Sequence, residues 1–321
     1  LPPALILLLL SSDIAGILKC GRPALIMFFA GSAGIMLGMP LVFYVFKDVV
    51  GFQFWQGFGA LSGSWTGGSA NMIAVKEAIG TPENVFLPMV IVDTIVPYVW
   101  MGVLIALAGF QPVFDKWNRA DRKIIDELAA KHIGAHLSKK EKLRFDKLLL
   151  IFFIVIFGMA ISRYLSEFLP EIKDVISRYA WTIIIASFIG ILLSFTNVKK
   201  LENHGASKIG YFLLYFVLAS IGAKAGVISV GPVITLIIAG FLVVLFHAVI
   251  LLLTARLIKA PLFLVAVASQ ANIGGVASAP IIASVYQPGL ASIGLLLAVL
   301  GNIIGTYLGI LTSQLCRLVA Y

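Results

Sequence analysis

Apolar residues in this chain come in runs too long for a water-soluble core and too numerous for a single anchor. Charged residues, glycines and prolines mark off ten such segments: 1–12, 23–46, 57–79, 84–110, 148–169, 179–196, 209–223, 231–256, 261–286 and 288–314. Roughly 20 apolar residues in helical form cover a hydrocarbon layer of about 30 Å. In lipid the backbone must satisfy its own polar groups, so open strands are excluded and helices are expected throughout. Composition agrees: 12% of residues are charged, against about 25% in a soluble domain. The expected fold class is an all-α integral membrane protein with about ten membrane segments, multi-pass in the cell (inner) membrane and partnered first of all by the lipid bilayer.

The net charge of +9 is not a nucleic-acid footprint, because ten of the 24 Lys and Arg fall between Lys116 and Lys147. A clustered basic stretch beside membrane segments is the pattern of a cytoplasmic loop, so 111–147 is expected to be one, carrying a short amphipathic helical hairpin. Cys20 and Cys316 stand far apart and form no metal or redox motif. The chain opens inside an apolar run without an initiator Met, and preceding residues, further membrane segments among them, are expected.

The segments repeat. A shift of 209 residues lays Pro23 on Pro232, Gly31 on Gly240, Asp93 on Asn302 and Tyr98 on Tyr307. Between 57–79 and 261–286 the shift is 207, which lays Ser62 on Ser269, Gly67-Gly68 on Gly274-Gly275 and Ala70 on Ala277. A nearly constant offset over three successive segment pairs marks an internal repeat. The organisation expected is a first repeat at 1–110, the loop at 111–147 and a second repeat at 148–321. The repeated units begin an even number of segments apart, so one segment in each must fail to cross if the two are inverted. The Gly/Ser-rich segments 57–79 and 261–286 suit that role as re-entrant hairpins or broken helices. The distribution of Lys and Arg does not choose between crossing and re-entry.

Interrupted segments at matching places in two repeats are the best sequence pointer to a transporter binding site. The first reads Ser64-Trp65-Thr66-Gly67-Gly68-Ser69-Ala70-Asn71 and the second Ser269-Gln270-Ala271-Asn272-Ile273-Gly274-Gly275-Val276-Ala277-Ser278. Free N–H groups at half-helix ends attract anions, and exposed oxygens can take the place of a cation's water. Ser64, Thr66, Gly67, Gly68, Ser69, Asn71, Ser269, Gln270, Asn272, Gly274, Gly275 and Ser278 are therefore the candidate solute-binding residues. The bland reading, a small-residue packing face, explains one such segment as well as a site does, but explains two in register less well.

Asp93 is the acid set well inside an apolar segment. As the tenth residue of its segment it lies about 15 Å deep, where a charge is costly and usually functional. Asp93 and Thr94, with Asn302 and Thr306 from the second repeat, are the candidate ion-coupling set. The alternative is a protonated or hydrogen-bonded Asp with a structural role. His247 reads as a hydrogen-bonding link between helices rather than a proton relay, and Lys76 with Glu77 as an interfacial pair. No HExxH, GxSxG, phosphate-binding loop or His/Cys cluster occurs. An enzyme is not expected, nor a metal or cofactor beyond a coupling Na+ or H+.

The runs GSWTGGSANMIAVKEAIGTPENVFLPMVIVDTIVPYVW and SQANIGGVASAPIIASVYQPGLASIGLLLAVLGNIIGTYLG resemble the YjcL-like family of membrane proteins, as does the opening LPPALILLLLSSDIAGILKCGRP. The resemblance implies about two further membrane segments before this chain. It also implies membership of the cation–proton antiporter and anion transporter superfamily, with inverted repeats around crossing broken helices or hairpins and a homodimer formed through the scaffold. The expected function is a sodium- or proton-coupled secondary transporter for a small polar, anionic solute. The alternatives are a cation/proton antiporter, which a pair of adjacent buried acids would favour, and a non-transporting membrane receptor or assembly factor.

Overall fold

The computed structural model of the chain describes residues 1–121, 125, 144–171, 177–223, 230–287 and 289–321, and among these it is helical without strands. Among the described residues, five stretches are long and apolar enough to cross a membrane unaided: Gly21–Val50 (α3), Glu83–Asn118, Phe145–Ser166 (α8), the Val233–Ile258 part of Val230–Ile258 (α11), and Ala291–Ala320 (α14). The second of these consists of Glu83–Leu107 (α6), a 3-10 turn and Gln111–Asn118 (α7). Arg178–Ser194 (α9) makes a sixth span if it is counted with the 3-10 segment Asn197–His204, against which it bends by 96°.

The remaining apolar segments form shorter helices, for local reasons. The opening segment gives only Pro2–Leu10 (α1) before Asp13 caps Ile14–Lys19 (α2) by accepting from Gly16 N. Segment 57–79 splits into Trp55–Gly67 (α4) and Ser69–Ile79 (α5), and segment 261–286 into Leu262–Ile273 (α12) and Gly275–Tyr286 (α13). Both splits fall at the glycine pairs. Gly68 has φ 81° and Gly275 φ 64°, values that a side chain with a Cβ rarely adopts.

Each split is a reversal of direction. Gln56 Nε2 donates to Ile79 O at 3.0 Å and to Gly80 O at 3.2 Å. In one continuous helix those residues would be roughly 35 Å apart. α5 therefore runs back along α4, and Gly63 lies against Asn71 and Val75. In the second pair Gln270 Nε2 donates to Ser278 Oγ across the turn at 2.8 Å.

Among the described residues the helices gather into one large hydrophobic assembly and a smaller one, with a third, minor cluster of Leu5, Ala74 and Ile183. In the larger, α3 crosses α11, while α14 packs along α4, α13 and α3. In the smaller, Leu7 and Leu10 of α1 meet Ile151 of α8, Leu201, and Ala206 at the start of Ala206–Ala223 (α10). Glu202 holds that corner by accepting from Ser11 Oγ at 2.6 Å and from Ser207 N at 2.9 Å.

Of the basic stretch 111–147, residues 122–124 and 126–143 lie outside the described residues, and the expected amphipathic hairpin falls among them. Its beginning is firmly placed. Asn118 Nδ2 donates to Ala255 O and Ala260 O, and Asp115 Oδ1 accepts from Leu262 N at 2.8 Å. α7 thus satisfies Ala260 O and Leu262 N, between and at the start of helices where backbone groups lack helical partners, and adds a second donor to Ala255 O, which also accepts from Ala260 N. Lys76, on α5, is paired with Glu77 at 2.8 Å and also with Glu83 at 3.0 Å.

Candidate functional site

The turns of the two folded-back helix pairs face one cavity of about 290 Å³. Gly67, Gly68, Ser69, Ala70 and Asn71 form one tip, and Gly274 to Ser278 the other. Neither α5 nor α13 has a side-chain cap on its first turn. Gly68 N, Asn71 N and Gly274 N are taken by Ser64 O, Gly68 O and Gln270 O; the remaining leading N–H groups, which a helix start leaves unpaired, belong to residues that line the same space. Each helix N-terminus is equivalent to about half a positive charge, offset at the same tip by the C-terminal end of α4 or α12, so what the tips offer an anion is free N–H groups rather than a net charge. No Lys, Arg or His lines the cavity among the described residues.

Asp93 enters the cavity from α6, and Ser64 Oγ, in the last turn of α4, donates to Asp93 Oδ2 at 2.9 Å. One turn further along α6 stands Pro97, also in the wall. Proline has no N–H, so the Asp93 carbonyl lacks its ordinary helical donor. Residue 93 therefore offers both a carboxylate and a carbonyl oxygen. Asn302 of α14 lines the cavity, its Oδ1 facing Gly68.

Gln270 adds a third polar element. It is buried, and its Oε1 has no hydrogen-bond partner among the described residues. The cavity's far wall is apolar and aromatic: Leu5, Leu8 and Leu9 of α1, with Tyr211, Leu214 and Tyr215 of α10.

Five of the residues singled out in the sequence sit elsewhere. Thr66 donates to Ser62 O at 2.8 Å within α4. Thr94 is exposed on the outer face of α6, its hydroxyl donating to Val90 O. Thr306 is buried and donates to Asn71 Oδ1. Asn71 Nδ2 also reaches Gly67 O and Asn302 O, so this amide, though it lines the cavity, ties the first tip to α14. Asn272 ties the second tip to α3, accepting from Ser32 Oγ at 2.7 Å and donating to Phe28 O at 3.2 Å.

Ser269 lies within a buried chain: Trp100 Nε1 donates to its Oγ at 2.9 Å, and the Oγ is 3.0 Å from His247 Nε2. His247 Nδ1 is 2.8 Å from Gly31 O, which can only accept. The imidazole therefore carries its proton on Nδ1 and links α11, α3 and α12. Tyr98, Tyr211 and Tyr215 were not singled out beforehand as site residues. The spacing of Tyr211 and Tyr215 by four, which sets both on one helix face, was the available signal.

A membrane-embedded bundle of helices, with two folded-back pairs whose tips share a cavity, defines a polytopic membrane protein. The chain belongs to the family described as Protein of unknown function (DUF819), whose family model matches residues 1–319. It is similar to the uncharacterized membrane protein YjcL of Bacillus subtilis (strain 168). The two are 24% identical over 326 residues, covering 96% of this chain and 79% of that protein. No solved structure matches the chain.

Proposed function

We propose that this protein is a secondary active transporter, coupled to sodium or protons, for a small polar anionic solute. The observation that carries the reading is the meeting of two uncapped helix N-termini with a carboxylate, Asp93, on one cavity. The helix ends favour an anion. The Asp93 carboxylate needs a positive partner at membrane depth, and no basic side chain in the wall supplies one among the described residues. A cation or a proton bound with the solute does. Asp93, its freed carbonyl and Ser64 Oγ are the oxygens proposed for it, with Asn302 across the cavity. The reading assigns no covalent chemistry and no cofactor beyond the coupling ion.

In this reading α4–α5 and α12–α13 are re-entrant hairpins in two inverted repeats of a protein with about ten membrane segments. Two observations support it. One is the reversal of direction at Gly68 and Gly274. The other is a pair of reciprocal contacts: Gly31 of α3 lies against Asn272 of α12, while Gly240 of α11 lies against Trp65 of α4. Positions 31 and 240 correspond at the offset of 209, and positions 65 and 272 at 207, so each repeat's long helix touches the equivalent point of the other's hairpin. α1, α8, α9 and α10 form the scaffold against which the tips work, and a homodimer through that scaffold belongs to the same proposal.

Reconstitution into proteoliposomes tests the reading. Accumulation of small organic anions driven by an inward sodium or proton gradient, and abolished by Asp93→Asn, is expected. Cation/proton exchange without any organic solute would favour an antiporter instead. No gradient-dependent flux of any kind would favour a receptor or assembly factor.

A further inference from the structure

The wall of the cavity is unequal in what it asks of a solute. The free N–H groups at the two helix N-termini ask for an acceptor. With no Lys, Arg or His in the wall among the described residues, a phosphate or dicarboxylate would bring charge that nothing compensates. A single carboxylate fits.

Gln270 asks for something different. Its side chain is held by Nε2 donating to Ser278 Oγ at 2.8 Å, and this leaves Oε1 with no partner among the described residues although the residue is 1% exposed. A buried carbonyl without a donor is destabilising, and such groups in native proteins call for an explanation. Ser278 is the fourth residue of α13, so the group that fixes the amide belongs to the same first turn whose N–H groups face the cavity. Anion-seeking N–H groups and a donor-seeking oxygen therefore belong to one tip, joined through Ser278.

We propose that the solute is a small monocarboxylate bearing a hydrogen-bond donor on the neighbouring carbon, a 2-hydroxy or 2-amino acid. Its carboxylate lies against the N-termini of α5 and α13, and its donor is taken by Gln270 Oε1. A cavity of about 290 Å³ lies at the small end of ligand pockets and accepts a molecule of metabolite size. The leucines of α1 and the tyrosines of α10 leave room for a short apolar substituent on the opposite side. Asp93 stays with the coupling ion. This inference rests on the transport reading for its biological meaning but is tested by binding alone.

The experiment measures thermal stabilisation of the purified full-length protein in sodium-containing buffer, titrated separately with propanoate, lactate, alanine, succinate and inorganic phosphate. Lactate or alanine, whichever class is right, should half-saturate at a concentration roughly tenfold or more below propanoate, since propanoate leaves the Gln270 oxygen unpaired. Succinate and phosphate should bind more weakly still. Gln270→Leu should erase the preference over propanoate while leaving propanoate binding in place. Should that variant fail to fold, Ser278→Ala, which releases the amide, should reduce the preference. Equal binding of lactate, alanine and propanoate overturns the inference, as does tighter binding of succinate or phosphate, a preference that survives both variants, or no binding at all. A protein that shows the preference yet accumulates nothing in proteoliposomes keeps the inference and removes the transport reading. Gradient-driven accumulation of a solute lacking the carboxylate or the donor removes the inference and keeps transport.

Discussion

Ser64 Oγ donates a hydrogen bond of 2.9 Å to Asp93 Oδ2, joining the last turn before the Gly68 reversal to the middle of α6. The serine hydroxyl can satisfy the carboxylate's geometry but not its charge. That division sets the first prediction.

Asp93→Asn retains an oxygen that accepts from Ser64 and removes only the charge. We expect the folded protein to lose about 1 kcal/mol or less. Stabilisation by sodium, followed by thermal melting across pH 5.5 to 8.5 (about three units around neutrality), should disappear. If wild type and variant respond equally to sodium, Asp93 takes no part in coupling. If neither responds, the choice lies between proton coupling and no coupling.

Thr94→Val is the matched control. Its hydroxyl serves only Val90 O in the same helix and faces outward, so stability should change by no more than about 0.5 kcal/mol. The sodium response should stay as in wild type. Loss of that response would mean that α6 turns to present a different face during the cycle.

Asn71→Ala strips the first tip of its ties to Asn302 O and to the Thr306 hydroxyl, leaving buried groups unpaired. A loss of about 1–3 kcal/mol is expected, read as a lowered melting temperature in detergent. Solute binding should weaken too, because the N-terminus of α5 is no longer held in place. A variant as stable as wild type would show that α4–α5 is positioned by apolar packing alone.

Gly305→Ala tests how closely α14 and α4 approach. A Cβ at 305 would lie 2.7 Å from Gly67 Cα and 2.9 Å from Gly67 N, backbone atoms that cannot rotate aside. The expected cost is about 1–3 kcal/mol, with the tip displaced and binding impaired. Gly102, where nothing lies within 4 Å of an added Cβ, is the site for a comparison variant that should be neutral in both measurements.

Residues whose chemistry is incompatible with their surroundings were the ones that sequence alone exposed. Gly67-Gly68 and Gly274-Gly275 interrupt helices that would otherwise continue, and the reversals fall there. Asp93 is a carboxylate in an apolar run, and it lines the cavity. What the sequence did not reveal was rotation about each helix axis. Successive helical residues turn by about 100°, so when Asp93 faces inward Thr94 faces out. In the same way Gln270 reaches the cavity while Ser269 and Asn272 bind neighbouring helices. In a soluble helix, polarity marks the outward face. In lipid an apolar outer surface removes that cue, and a hydroxyl satisfied by its own helix, such as Thr94, can face any direction. The aromatic wall was hidden for a related reason, since Tyr211 and Tyr215 belong to a segment whose composition says only that it is apolar.

Asp115 and Asn118 lie at the edge of the charged stretch, yet their hydrogen bonds complete the end of α11 and the start of α12. Anyone trimming that stretch to ease expression, or replacing it with a rigid fusion partner for imaging, should place the cut beyond Asp121. Removing residues 111–121 would take away the carboxylate that receives the first N–H of α12 and the amide that closes two carbonyls behind it. The damage would then appear at the opposite end of that helix, as an unsteady Gln270, far from the site of the edit.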